Sequence, residues 1–182
     1  MTCSTITNGY MVPKLIESLK KLDTVCVSLD GPQEINDITR GEGSFLKGAE
    51  ALQCLQENNV NRQIRVTLQK NNLGCVEEMF QLAVKYGACL NFGLLFHQAS
   101  DDGTEMGLSE DLPENEDYRK VLRQIVDLKK RHPKVLINSL RNLNNALNWP
   151  TTFSQYELKA DEIKKYPDFE AIPCHGGKTF AT

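Results

Sequence analysis

Through the first two-thirds of the sequence, short β-like runs alternate with amphipathic helical runs, which restricts the chain to parallel strands joined by crossover helices. Residues 3–7 read as a strand ending in the turn dipeptide Asn8-Gly9. Residues 12–22 read as a helix with Pro13 in its first turn and Leu15, Ile16 and Leu19 on one face. A second strand is expected over 24–30. After an irregular stretch, Ser44 can cap a helix whose Phe45, Ala49, Leu52 and Leu55 fall on one side. Residues 62–69 form the third alternating run. A helix over 75–86 then directs Met79, Phe80 and Ala83 at the sheet, with Gly87 closing it, and the fourth strand covers 90–96. From 97 to 114 the composition turns to Asp, Gly, Ser and Glu, the mark of a long loop at a strand end, where functional loops of α/β folds gather. Residues 118–131 are helical up to Pro133, and a short apolar segment follows at 135–137. This divides the chain into an α/β part over 1–132 and a helical extension over 133–182.

Composition removes several function classes. With 40% hydrophobic and 25% charged residues in 182, the chain can bury a core, and its net charge of -3 gives no cationic field for nucleic acid. No apolar run is long enough for a bilayer, and no signal-peptide pattern opens the sequence, so no membrane partner is expected and the cytoplasm is the expected compartment. The six cysteines show neither disulfide-knot spacing nor a C-x-x-C pair and are expected to be reduced, with Cys26, Cys54 and Cys89 acting as small apolar residues.

Side chains reverse at each strand residue, so Val25, Val27 and Leu29 oppose Cys26, Ser28 and Asp30, while Ile64, Val66 and Leu68 oppose Arg65, Thr67 and Gln69. A parallel sheet covered on both faces reads as nearly continuous Val, Ile and Leu. These strands do not. Two architectures satisfy the pattern: a barrel or half-barrel with a ligand in its polar interior, or an open sheet with one face in solvent.

Particular residues then become candidates. Ser28 and Asp30 share one face at a strand's carboxyl end, where a hydroxyl and a carboxylate can meet ribose hydroxyls or an ammonium group. Arg40 follows a turn-rich loop, and its planar guanidinium suits a bidentate grip on a carboxylate; alternatively it caps a helix or pairs with Asp37 or Glu42. Gly41 and Gly43 allow close backbone approach to a ligand. Lys70 near a strand end leaves a Schiff-base lyase open as another reading.

Taken in order, Thr7-Asn8-Gly9, the Val-Ser-Leu-Asp-Gly-Pro run from Val27 and the Asp-Ile-Thr-Arg-Gly-Glu-Gly-Ser-Phe run from Asp37 resemble the central segment of radical S-adenosylmethionine enzymes. Val66-Thr67, Asn72-Leu73 and the fourth strand extend the resemblance over roughly residues 4–96, particularly to members with a cysteine-rich C-terminal domain of the SPASM or twitch type. It implies a parallel-stranded partial (β/α)6 barrel, incomplete here. Asn8, Ser28, Asp30, Arg40 and Asn72 would be cofactor-binding residues, and Phe92 and Leu94 would border the adenine. Pro173-Cys174-His175-Gly176-Gly177-Lys178 resembles the entrance to the auxiliary-cluster domain, making Cys174 a would-be iron ligand.

The implied cofactors are S-adenosylmethionine and a 4Fe–4S cluster, and the implied partners are a substrate, a peptide among the options, and a reductant protein. In the complete enzyme one electron enters the sulfonium, a carbon–sulfur bond breaks, and a 5′-deoxyadenosyl radical abstracts hydrogen from the substrate. The family's C-x-x-x-C-x-x-C motif is absent from the sequence, and so is the glycine-rich segment for the methionine amino group. Truncation at both ends is the expected reason, leaving a chain not competent alone. The alternative is a non-catalytic, barrel-derived binding or interaction module.

Overall fold

The computed structural model describes residues 2–95, 110–153, 158 and 160–169. Four strands make one sheet: β1 (Ser4–Thr7), β2 (Thr24–Ser28), β3 (Arg62–Leu68) and β4 (Cys89–Leu94). Their order in space is their order in sequence, and every neighbouring pair is parallel. Each step therefore needs a crossover, supplied by α1 (Val12–Leu19), by α2 (Gln33–Arg40) with α3 (Ser44–Glu57), and by α4 (Val76–Lys85). Such same-direction progression is barrel-like, and the described sheet stays unclosed.

The sheet does not stop at β4. Beyond α5 (Asn115–Arg131), Leu136 bridges Leu90 in parallel, with Leu90 N–H donating to Val135 O at 2.8 Å and Ile137 N–H donating to Leu90 O at 3.0 Å. Residues 135–137, expected as the lead-in to a helical extension, instead add a fifth parallel rung, and Leu136 is fully buried. Two more helices follow, α6 (Leu140–Leu147) and α7 (Ala160–Ile163). Leu143 of α6 joins the same core, so α6 packs as part of the α/β body.

The core lies between the sheet and its helices. Val25, Val27, Leu29, Ile64, Val66 and Leu90 are wholly or almost wholly buried against Leu52, Leu55, Met79 and Ile125. Burying each such aliphatic side chain contributes about 1.5–3 kcal/mol. Tyr118 of α5 is also fully buried; its hydroxyl lies 3.1 Å from both Leu68 O and Leu95 O, and burial raises its pKa to about 12. Leu15, expected on the buried face of α1, is instead exposed, leaving Val12, Ile16 and Leu19 to dock that helix.

The irregular stretch before α3 is helix α2, hidden from periodicity because Ile38 points to solvent and much of its remainder is polar. Two left-handed glycines join α2 to α3, Gly41 at φ 95° and Gly43 at φ 78°, and that backbone alone requires glycine there. Gly9, at φ 94°, combines this need with close packing: a Cβ would stand 2.9 Å from Lys47 O. The β1–α1 turn thus sits directly on α3. No helix among the described residues is long and apolar enough to cross a membrane.

Candidate functional site

Strand register decides which side chains share a face. Val27 pairs with Ile64, and Val66 and Leu68 pair with Phe92 and Leu94, so these six form the face covered by helices. Ser28 pairs with Arg65 and Arg65 with Asn91, which makes a polar row on the opposite face. Phe92 and Leu94, expected to border the adenine, therefore share the helix-covered face. They point away from Ser28, and Phe92 belongs to the hydrophobic core.

At the carboxyl end of β2 the chain is held by a buried polar network. Asp30, only 1% exposed, receives Thr67 N–H at 2.8 Å on one carboxylate oxygen and Arg40 Nε–H at 2.7 Å on the other. The first bond replaces a rung of the β2–β3 ladder where the strands part. Asp30 N–H donates to Asn36 Oδ1 at 2.8 Å, and Asn36 Nδ2 donates to Ser44 Oγ at 2.8 Å. Asn72 spends its whole amide on the same junction: Nδ2 donates to Asp30 O at 2.8 Å and Thr67 O at 2.7 Å, and Oδ1 accepts Gln69 N–H at 2.7 Å.

This changes the expected duties of two residues. Asp30 and Asn72, read as cofactor contacts, have their polar atoms committed to protein partners and act by fixing the two strand ends. Arg40 does not pair with Asp37 or Glu42; it leans on Asp30 through Nε alone. Its two terminal nitrogens have no partner among the described residues, and the side chain remains 30% exposed. Ser28 is half-buried, with its hydroxyl likewise unpartnered. Asn8 is exposed and accepts Tyr10 N–H at 3.3 Å, an ordinary local turn contact. Lys70 is exposed at the surface. Cys174, His175 and the loop from 97 to 107 lie outside the described residues.

Sequence reading missed Asp37 and Asn36. Asp37 accepts Gly43 N–H at 3.0 Å, Ser44 Oγ–H at 3.0 Å and Phe45 N–H at 2.8 Å, so it caps α3 from the preceding helix in place of the expected Ser44. An aspartate upstream of a Gly-x-Gly-Ser helix start was the available signal. The Phe45 N–H bond, helped by those of Gly43 and Ser44, lowers the Asp37 pKa against a smaller cost of burial. A carboxylate depressed in the folded state contributes stability that is complete above its unfolded pKa of about 3.9 and is lost as pH falls through the folded value. Asp37→Asn should therefore flatten the acid limb of the stability curve and loosen the start of α3, measurable as urea midpoints across the acid range.

Among the described residues, no group of three His, Cys, Asp or Glu could hold a metal ion. Burial pushes the Cys26, Cys54 and Cys75 thiol pKa values up. His132 packs against Phe80 with ring centroids 4.5 Å apart.

No protein-family model matches the chain. The mycofactocin maturase MftC of Mycobacterium ulcerans (strain Agy99) is 37% identical over 89 residues, covering 46% of this chain and 24% of that protein. MftC of Mycobacterium tuberculosis (strain ATCC 25618 / H37Rv) is 36% identical over 105 residues, 55% of this chain and 26% of that protein. The chain thus spans about a quarter of the length of the curated relatives it matches. Among solved structures, anSMEcpe with bound AdoMet and the Kp18Cys peptide superposes with a TM-score of 0.59 at 22% identity, over 71% of this chain and 37% of that one. Streptococcus suis SuiB bound to S-adenosylmethionine gives 0.55 at 14% identity, over 73% and 30%. These two show a common fold, a partial barrel of parallel strands. The fold, the curated relatives and the motif order from Asn8 to Asn72 agree in the same likeness: over this region the chain is similar to radical S-adenosylmethionine enzymes.

Proposed function

We propose that this region binds S-adenosylmethionine at the carboxyl ends of its parallel strands, with Ser28 toward the nucleoside and Arg40 on the methionyl carboxylate. One observation carries the reading: Ser28 Oγ and the terminal nitrogens of Arg40 have no partner among the described residues and stand at the same end of the sheet. Asp30 holds the guanidinium by Nε, leaving its two terminal nitrogens for a ligand. Such a preset group loses little freedom on binding.

The cofactor supplies, on one-electron reduction, a 5′-deoxyadenosyl radical that takes hydrogen from a substrate, and we assign that chemistry to the whole protein. The iron–sulfur cluster used by the family does not fit the residues in hand: the sequence lacks C-x-x-x-C-x-x-C, and the described residues hold no three-ligand group. This region contributes binding and orientation of the organic cofactor. A peptide is the substrate class we favour, since anSMEcpe and SuiB, which share the fold, are each known with a bound peptide. The five described cysteines are free thiols, as a reducing cytoplasm keeps them.

Calorimetric titration of the purified chain with S-adenosylmethionine tests the reading. Saturable binding is expected, weakened about 5-fold by Ser28→Ala through loss of one neutral hydrogen bond. Arg40→Lys should weaken it about 10- to 100-fold, the scale of a charged hydrogen bond, while adenosine binding stays unchanged in that variant. A folded chain with no saturable binding, or one indifferent to both substitutions, refutes the proposal.

A further inference from the structure

Arg65 stands within β3, flanked in register by Ser28 on β2 and Asn91 on β4, on the sheet face turned away from the helices. It is half-buried and has no hydrogen bond or ion pair among the described residues. Its position is set sterically. A Cβ added at Gly93 would stand 2.9 Å from Arg65 Nη2 and 3.4 Å from Cζ, so the guanidinium lies across β4 over the place where a side chain is missing.

No described acidic group pairs with it. The Asp30 carboxylate is occupied by Arg40 and Thr67, and burial pushes the neighbouring Cys26 thiol pKa up although Arg65 pulls it down. A partly desolvated guanidinium without a counter-charge is costly, and an arriving anion removes that cost. The planar fork of donors matches a carboxylate, and an unpartnered Ser28 hydroxyl adjoins it in register.

We propose that Arg65 binds a carboxylate of the substrate on the polar sheet face, apart from the carboxylate held by Arg40. The inference rests on the cofactor reading above only in calling that carboxylate the substrate's. Gly93 is its positioning partner.

The test uses succinate as a carboxylate probe and follows the Arg65 Nε–H resonance by nuclear magnetic resonance on the isotope-labelled chain. A saturable shift is expected, weakened about 10-fold in Gly93→Ala, whose new methyl group displaces the guanidinium, and calorimetric succinate binding should be lost in Arg65→Lys. Saturating S-adenosylmethionine should leave the succinate affinity unchanged. No saturable shift overturns the inference while S-adenosylmethionine binding can still stand. Competition between the two ligands also overturns it, because Arg65 then serves the cofactor. If S-adenosylmethionine fails to bind and succinate still titrates Arg65, the anion site stands and the cofactor reading alone falls. Should Gly93→Ala unfold by circular dichroism, Arg65→Lys decides.

Discussion

Asp30→Ala should cost the chain about 3 kcal/mol, the scale of breaking a buried charge pair with one partner left in place. Three separate losses lie behind the figure. The buried carboxylate goes, Thr67 N–H loses its acceptor at the parting of β2 and β3, and Arg40 loses its 2.7 Å contact with Asp30. Arg40 is 30% exposed and can turn to water, which keeps the cost below the top of the range for fully buried pairs. Urea unfolding measures this as a lower midpoint with an unchanged slope. Asp30→Asn separates shape from charge: the amide oxygen can still accept Thr67 N–H, so part of the stability returns, while S-adenosylmethionine binding stays weak because Arg40 is no longer held. A loss below about 1 kcal/mol for Asp30→Ala, the scale of a single neutral hydrogen bond, contradicts this account of the junction.

Asn72→Ala should cost about 2–4 kcal/mol, because one buried amide serves three backbone groups and its removal leaves Gln69 N–H, Asp30 O and Thr67 O short of partners. Asn72→Asp is the sharper variant. It keeps the acceptor for Gln69 N–H but turns a second oxygen toward two carbonyl oxygens, so it should be at least as destabilising as alanine. Hydrogen exchange localises the effect: in Asn72→Ala the Gln69 amide should exchange faster than those of the β3 interior. Equal protection of Gln69 in the variant and the parent chain would show that the amide is not what closes this turn.

Strand positions were legible because β-branched runs with period-two alternation are a local signal, and the four parallel strands follow it closely. Helix α2 was not, since its burial depends on a network among Asn36, Ser44 and Asp37 that no hydrophobic period records. The fifth rung at residues 135–137 was visible as an apolar segment but not as a strand, because a three-residue run takes its identity from the neighbour it pairs with. Within the proposed site, Ser28 and Arg40 stand out in the sequence by residue type and position at a strand end. The commitments of Asp30 and Asn72 were hidden, because a polar side chain in sequence does not show whether a backbone group will occupy it.

The amino-acid order by itself determined the parallel α/β architecture and the polar character of one sheet face, since both follow from local periodicity and from the reversal of side chains along a strand. Tertiary structure decided the rest: that Phe92 and Leu94 face the helices, that Asp30 and Asn72 brace the strand ends, and that Arg65 lies uncompensated over Gly93. These depend on inter-strand register and on groups up to 42 residues apart, and a hydrogen bond at that separation exists only once the chain has folded.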